Sequence, residues 1–264
     1  MNGVNSILGG AKALVAKLAP RPRLHQKVAT GPLEGFSFLL PSGWEAHYTH
    51  GEYEPEVTAA LSHLVSPGDT CVDAGAHYGY FTLLFAKLSG PEGRVYSFEA
   101  QPENARILAE NVRVNDLQSR VTVEHAAVAA QEGPIELHSV ASGSSAEWTL
   151  SEPFAHRPAR PGGGGRTERV PAIRLDTYLA GTPSVDVIKM DIEGAEAEVL
   201  PALSEFLESR KSTVLLEFHR EVGWPAIEAL LEFGYELENL DGSALPRLRT
   251  ADEVPYQLVG RPPR

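Results

Sequence analysis

The stretch V-D-A-G-A-H-Y-G-Y, residues 72–80, constrains this chain more than any other. A turn signal, Pro67-Gly68-Asp69, and the short apolar run Thr70-Cys71-Val72 precede it. Behind it, Phe81-Thr82-Leu83-Leu84-Phe85-Ala86-Lys87-Leu88 is apolar at helical spacing. Strand, glycine-bearing turn and helix, in that order, make the first βα unit of a nucleotide-binding α/β sheet. Glycine suits such a turn because a side chain would hinder close approach of a ligand to the backbone. The helix start beyond it offers unpaired N–H groups and a positive dipole end. At the end of the next apolar run, Arg94-Val95-Tyr96-Ser97-Phe98, stands Glu99, an acid placed to take a ribose diol.

Spacing decides which nucleotide. A dinucleotide fingerprint requires G-x-G-x-x-G, whereas here the glycines are Gly75 and Gly79, with His77 and Tyr78 between them. A nicotinamide oxidoreductase is therefore the more distant reading, as is a silent cofactor-binding module. Gly162 to Gly165 run straight into Arg166, so no P-loop is present. Asp73, two residues before Gly75, would repel a phosphate and suits a cationic ligand. S-adenosylmethionine, which carries an ammonium and a sulfonium, meets that requirement.

D-A-G-A-H-Y-G-Y, then Y-S-F-E-A-Q-P-E-N, and later V-I-K-M-D-I-E-G-A-E resemble the FkbM-type S-adenosylmethionine-dependent methyltransferases. The resemblance covers residues 53–219. The family usually has Asn where His77 stands, an aliphatic residue at Tyr78, and often Pro at Ala100. The resemblance implies a Rossmann-like seven-stranded class I methyltransferase sheet with helices on both faces. It places the cofactor against Asp73, Gly75, Ala76, His77, Tyr78, Gly79, Glu99, Ala100, Gln101 and Asp191. It also brings Tyr53 and Glu54 near the cofactor, and the small residues Ala126 and Ala127 against the adenine.

The chain has 264 residues, enough for one α/β domain with decoration. Twenty-three basic against 35 acidic residues give a net charge of −12, which disfavours a nucleic-acid partner. The single cysteine, Cys71, lies in the first strand and fits a reducing, cytoplasmic setting. No apolar run approaches the roughly twenty residues of a membrane span. Residues 1–50 read as an extension to the methyltransferase domain at 51–264. Within the extension, Ile7, Leu8, Ala11, Leu14, Val15 and Leu18 share a helical face that Pro20 and Pro22 end. Five basic residues and no acid lie between Met1 and Leu33. The helix suits packing on its own domain or on a second copy better than a membrane surface or transit role. A strand and turn follow in F-S-F-L-L-P-S-G-W.

Further strands are expected at residues 121–128, 134–140, 170–175, 185–192, 213–218, 235–240 and 256–259, and helices at 102–115, 193–209 and 224–234. Residues 141–168, rich in Gly, Pro, Ser and Arg, read as a mobile loop that could cover the acceptor. Alternation puts Lys189 and Asp191 on one face of a strand, and likewise Glu217 and His219. Ligands of open α/β sheets bind at the carboxyl ends of strands, so Asp73, Glu99, Asp191, Glu217 and His219 are expected to gather there. The expected reaction is methyl transfer to a hydroxyl oxygen on a small molecule; the choice of oxygen comes from the resemblance. An N-methyltransferase is the alternative. So is an RNA 2′-O-methyltransferase, whose Lys/Asp pairs Lys189 and Asp191 resemble but which the net charge opposes. His219 is the expected base because its unperturbed pKa lies near working pH. Asp191, Glu217 and His219 could instead hold a divalent metal, though methyl transfer to oxygen does not require one.

Overall fold

The computed structural model describes residues 25–41, 48–51, 53–140, 147–149, 167–220 and 222–263. The expected N-terminal helix lies outside them, as does most of the loop at 141–168. The described chain opens with an antiparallel pair, β1 (His25–Lys27) and β2 (Ser37–Leu39). Pro at the first helical turn starts α1 (Pro55–Leu64). Then come β3 (Thr70–Ala74), α2 (Tyr80–Ser89), β4 (Arg94–Glu99), α3 (Pro102–Val114) and β5 (Val121–His125). The later half holds β10 (Val187–Met190), α5 (Glu196–Ala202), α6 (Ser204–Arg210), β11 (Thr213–Glu217), α7 (Trp224–Glu232), β12 (Glu236–Glu238) and β13 (Gln257–Arg261).

Seven of these strands form one sheet in the order β12-β13-β11-β10-β3-β4-β5, parallel except for β13. It is the seven-stranded class I methyltransferase sheet. Every residue of β3 and β10 is buried, because helices cover both faces and leave no solvated side to alternate with. Leu61, Leu83, Leu84, Ile107 and Leu108 fill the core on one face. Leu179, Leu200, Leu207, Ile227 and Leu230 fill it on the other. Val28, Leu33 and Phe38 belong to the first of these cores. Asn111 of α3 fixes β2 by accepting from Leu39 N at 2.6 Å and donating to Leu39 O at 3.2 Å.

Two expected elements are split. Residues 121–128 are not one strand: β5 ends at His125, and β6 (Ala127–Val128) joins a second sheet. That sheet, in the order β6-β9-β7-β8, also contains β7 (Gly133–Val140), β8 (Glu147–Thr149) and β9 (Thr167–Ile173). It occupies the connection between β5 and β10, ahead of the short α4 (Leu175–Tyr178). Parts of the expected loop thus belong to strands: Glu147–Thr149 pairs with β7, and Thr167 and Glu168 open β9. The expected helix at 193–209 is two helices, broken at Leu203 just after Pro201, which has no N–H to donate. No helix among the described residues is long and apolar enough to cross a membrane.

Candidate active site

The turn after β3 is held from two sides. Gly75 and Ala76 both donate to Phe98 O at 3.0 Å. Gly75 has φ +81°, and a Cβ there would lie 1.8 Å from the backbone oxygen of Asp191. Its glycine is thus required by close approach of the chain's own β10 end, a reason the sequence did not disclose. Gly79 caps α2 at φ +93°, where a Cβ would meet Leu108 Cδ1 at 2.5 Å. His77 lies between them at φ +51° and donates its N–H to Glu99 Oε2 at 2.8 Å. Gln101 N reaches Glu99 Oε1 at 2.9 Å, and the Gln101 side chain caps α3 by accepting from Asn104 N at 2.6 Å. Burial raises the Glu99 pKa to about 7 against the pull of those amides. Burial likewise lowers His77 to about 4, so its ring is neutral, with Nδ1 3.2 Å from the Tyr48 hydroxyl.

Beside this turn opens a cavity of about 530 Å³, within the range of small-molecule and cofactor sites. Gly75, Ala76, His77, Glu99 and Ala100 line its turn wall, with Ala126 and Ala127 below. Tyr48, Tyr53, Tyr80 and Phe81 line a second side, with Tyr53 centroids 4.5 Å from Tyr48 and 5.0 Å from Tyr80. A third wall is charged: Glu54, Lys189, Asp191, Glu193 and Glu217, with Tyr256 and Gln257.

The charged wall is cross-braced. Lys189 is almost fully buried; its ammonium is 3.2 Å from Asp191 Oδ2 and 5.1 Å from the Phe81 ring centre. Burial opposes its charge, but Asp191, Asp73, Glu54 and Glu217 outweigh burial and hold its pKa above the ordinary lysine range. Glu217 accepts from the Tyr256 hydroxyl at one oxygen and from Gln257 Nε2 at 3.2 Å at the other. Burial and the nearby Asp191 charge raise its pKa to about 7. The same Gln257 nitrogen donates to Glu54 Oε2 at 3.1 Å. Burial also raises the Glu54 pKa, with Lys189 opposing.

His219 lies behind this wall and does not line the cavity. Its Nε2 is 3.5 Å from Glu193 Oε2 and 3.7 Å from Glu217 Oε1, and its Nδ1 is 3.4 Å from Glu196 Oε2. Burial alone would depress its pKa; the Glu193 and Glu196 carboxylates reverse this and raise it to about 11. Ligand atoms of Asp191, Glu217 and His219 lie within 4.8 Å of one another, close enough for a metal. The Lys189 ammonium on Asp191 and the protonated state of His219 compete with a cation there.

Of the other expected contacts, Asp73, Tyr78, Gly79 and Gln101 do not line the cavity. Asp73 is fully buried beneath the turn, with Oδ2 accepting from the Thr82 hydroxyl at 2.6 Å and Oδ1 without a hydrogen-bond partner. Glu193, Tyr256 and Gln257 are among the lining residues that sequence reasoning passed over. Glu193 carried a signal, since it precedes Gly194 at the end of a strand; its own φ is +55°. Gln257 carried none, because its place depends on the antiparallel register that sets it opposite Glu217.

The Methyltransferase FkbM domain family matches residues 73–237. The chain is 28% identical over 226 residues to "Methyltransferase sdnD" of Sordaria araneosa, covering 74% of this chain and 84% of that one. It is 30% identical over 158 residues to "2-O-methyltransferase NoeI" of Sinorhizobium fredii, covering 56% and 62% respectively. A solved Methyltransferase FkbM from Methylobacillus flagellatus KT superposes at a TM-score of 0.48 with 17% identity, over 76% of this chain and 50% of the other. With its three motifs on one seven-stranded sheet and a family match over most of its length, the chain belongs to the FkbM methyltransferases.

Proposed function

We propose that this methyltransferase uses S-adenosylmethionine to methylate a hydroxyl oxygen on a small molecule, with Glu217, supported by Asp191, taking the hydroxyl proton. The family implies the cofactor, and the donor set fits it. Five carboxylates, Glu54, Glu99, Asp191, Glu193 and Glu217, face one cavity with a single lysine, an excess of negative charge suited to a cationic ligand. Glu54, Gly75, Ala76, His77, Glu99, Ala100, Ala126, Ala127 and Asp191 would hold the cofactor, with Glu99 on the ribose hydroxyls. Asp73 supports the turn from beneath. When bound, the cofactor supplies a methyl group on a positively charged sulfur. The protein's share is to align the acceptor and remove its proton.

Glu217 carries this reading: it is a carboxylate on the cavity wall with a pKa of about 7, matched to a general base at neutral pH. His219 is a poor base here, because a group with a pKa of about 11 holds its proton throughout the working range. It instead neutralises Glu193 and Glu196. Oxygen as the acceptor atom draws support from the name of the relative NoeI, a 2-O-methyltransferase. The net charge of −12 favours a small acceptor over nucleic acid.

The assay is transfer of labelled methyl from S-adenosylmethionine to a panel of small-molecule alcohols and amines. Turnover on an alcohol should rise with pH through about 7, since Glu217 accepts a proton only once ionised. Glu217→Gln should lower turnover at saturating S-adenosylmethionine by about 10²–10⁴-fold. Activity should survive exhaustive chelation. Labelled amines without labelled alcohols would overturn the oxygen reading, and activity restored to a chelated enzyme by magnesium or manganese would overturn the metal-free one.

A further inference from the structure

Gln257 opens β13 directly opposite Glu217 of β11, while Glu54 stands just before α1, 203 residues away along the chain. One side-chain nitrogen joins all three: Gln257 Nε2 lies 3.1 Å from Glu54 Oε2 and 3.2 Å from Glu217 Oε2. All three residues line the same cavity. Glu54 is held at φ 40°, a left-handed conformation that persists in a non-glycine residue only where its surroundings enforce it. Two carboxylates around one neutral amide repel each other until a cation approaches. Lys189 supplies part of that charge, but its ammonium is engaged at 3.2 Å by Asp191. Both Glu54 and Gln257 fall outside residues 73–237, the part the family accounts for.

We propose that Gln257 is a positioning residue that holds Glu54 and Glu217 together as a paired seat for the positive sulfur of S-adenosylmethionine. The proposal rests on the cofactor assignment above. An amide suits the task because its two N–H groups can serve two carboxylates at once. Being uncharged, it leaves their negative charge available to the ligand; a lysine would cancel it. The seat also separates cofactor from spent product. S-adenosylhomocysteine keeps the adenosine, ammonium and carboxylate but has lost the methyl group and with it the charge on sulfur. A wall with surplus negative charge favours the charged form and lets the demethylated one leave.

Calorimetry with S-adenosylmethionine and S-adenosylhomocysteine tests this on the full chain, on Gln257→Met, which keeps side-chain length without a donor, and on Glu54→Gln. Gln257→Met should weaken S-adenosylmethionine about tenfold, the scale of one charged hydrogen bond, and S-adenosylhomocysteine by less than about threefold. Glu54→Gln should shift the same ratio in the same direction. Thermal unfolding of each variant shows whether it is folded, and should Gln257→Met fail there, Glu54→Gln decides alone. Equal losses for both ligands, or no loss for either, would overturn the proposal. A parent chain that binds neither ligand would remove the cofactor assignment itself, a result distinct from binding that ignores Gln257.

Discussion

The two walls of the cavity hold their acids in opposite ways. On the turn wall, both oxygens of Glu99 are taken by backbone N–H groups, those of His77 and Gln101. On the charged wall, Glu217, Asp191 and Glu54 are held by the side chains of Tyr256, Gln257 and Lys189. Burial drives both Glu99 and Glu217 to about 7. What opposes burial differs: peptide amides fixed by a turn in one case, exchangeable side chains in the other. The turn wall is therefore a socket set mainly by backbone groups, with the Asn104 amide adding a long side-chain contact at 3.5 Å. The charged wall can be retuned by single substitutions.

The comparison breaks most sharply at His219. Its loss leaves Glu196, whose side chain is only 1% exposed, without its cation. Breaking a buried pair from one side costs about 3–5 kcal/mol, so His219→Ala should lose that much in urea denaturation at pH 6. The folded pKa of about 11 lies above an unfolded value of about 6.5. The stabilisation is thus whole below about pH 6.5 and is lost as pH rises towards 11. The gap between parent and variant should narrow steadily from pH 6 to 10; a constant gap would show that His219 acts by packing alone.

The turn wall breaks at its backbone. Gly75→Ala should cost about 3 kcal/mol, because the new methyl meets a peptide oxygen that cannot swing away. Gly68→Ala is the control. Its φ is +92° with open space around the Cα, so it should cost only about 1–2 kcal/mol for the left-handed backbone. Equal losses in the two variants would mean that the Asp191 contact adds nothing.

Glu99→Ala sharpens the contrast with the smallest expected effect. It should weaken S-adenosylmethionine by about 1.5–3 kcal/mol, while the acid limb in the pH profile of turnover stays near 7, because Glu217 sets it. Unchanged affinity by calorimetry would remove Glu99 from the ribose.

What was legible in the sequence follows the same division. The turn wall is written within residues 72–101, where strand, glycines and acid are close enough in the chain for spacing to carry meaning. Lys189 and Asp191 were legible too, since alternation alone puts them on one face. Alternation could not show that Asp73 faces a buried serine and threonine beneath the turn, because β3 is covered on both sides. Nor could it show that residues 121–128 change sheets at Ala126: apolar patterning continues through a bend that swaps hydrogen-bonding partners. The Glu54–Gln257–Glu217 bridge needed the register of the last strand, a long-range pairing that no local pattern encodes. The base assignment to His219 rested on an isolated-residue pKa, and the neighbouring Glu193 and Glu196 alter it.

The Asp191 carbonyl that fills the space above Gly75 has a practical consequence. The contact is made by the main chain, so whatever side chain stands at 191 leaves the spacer in place. Substitutions there change the side-chain chemistry of the charged wall while the backbone spacer against Gly75 stays. Variants at this position therefore separate what the Asp191 side chain does from what its backbone does.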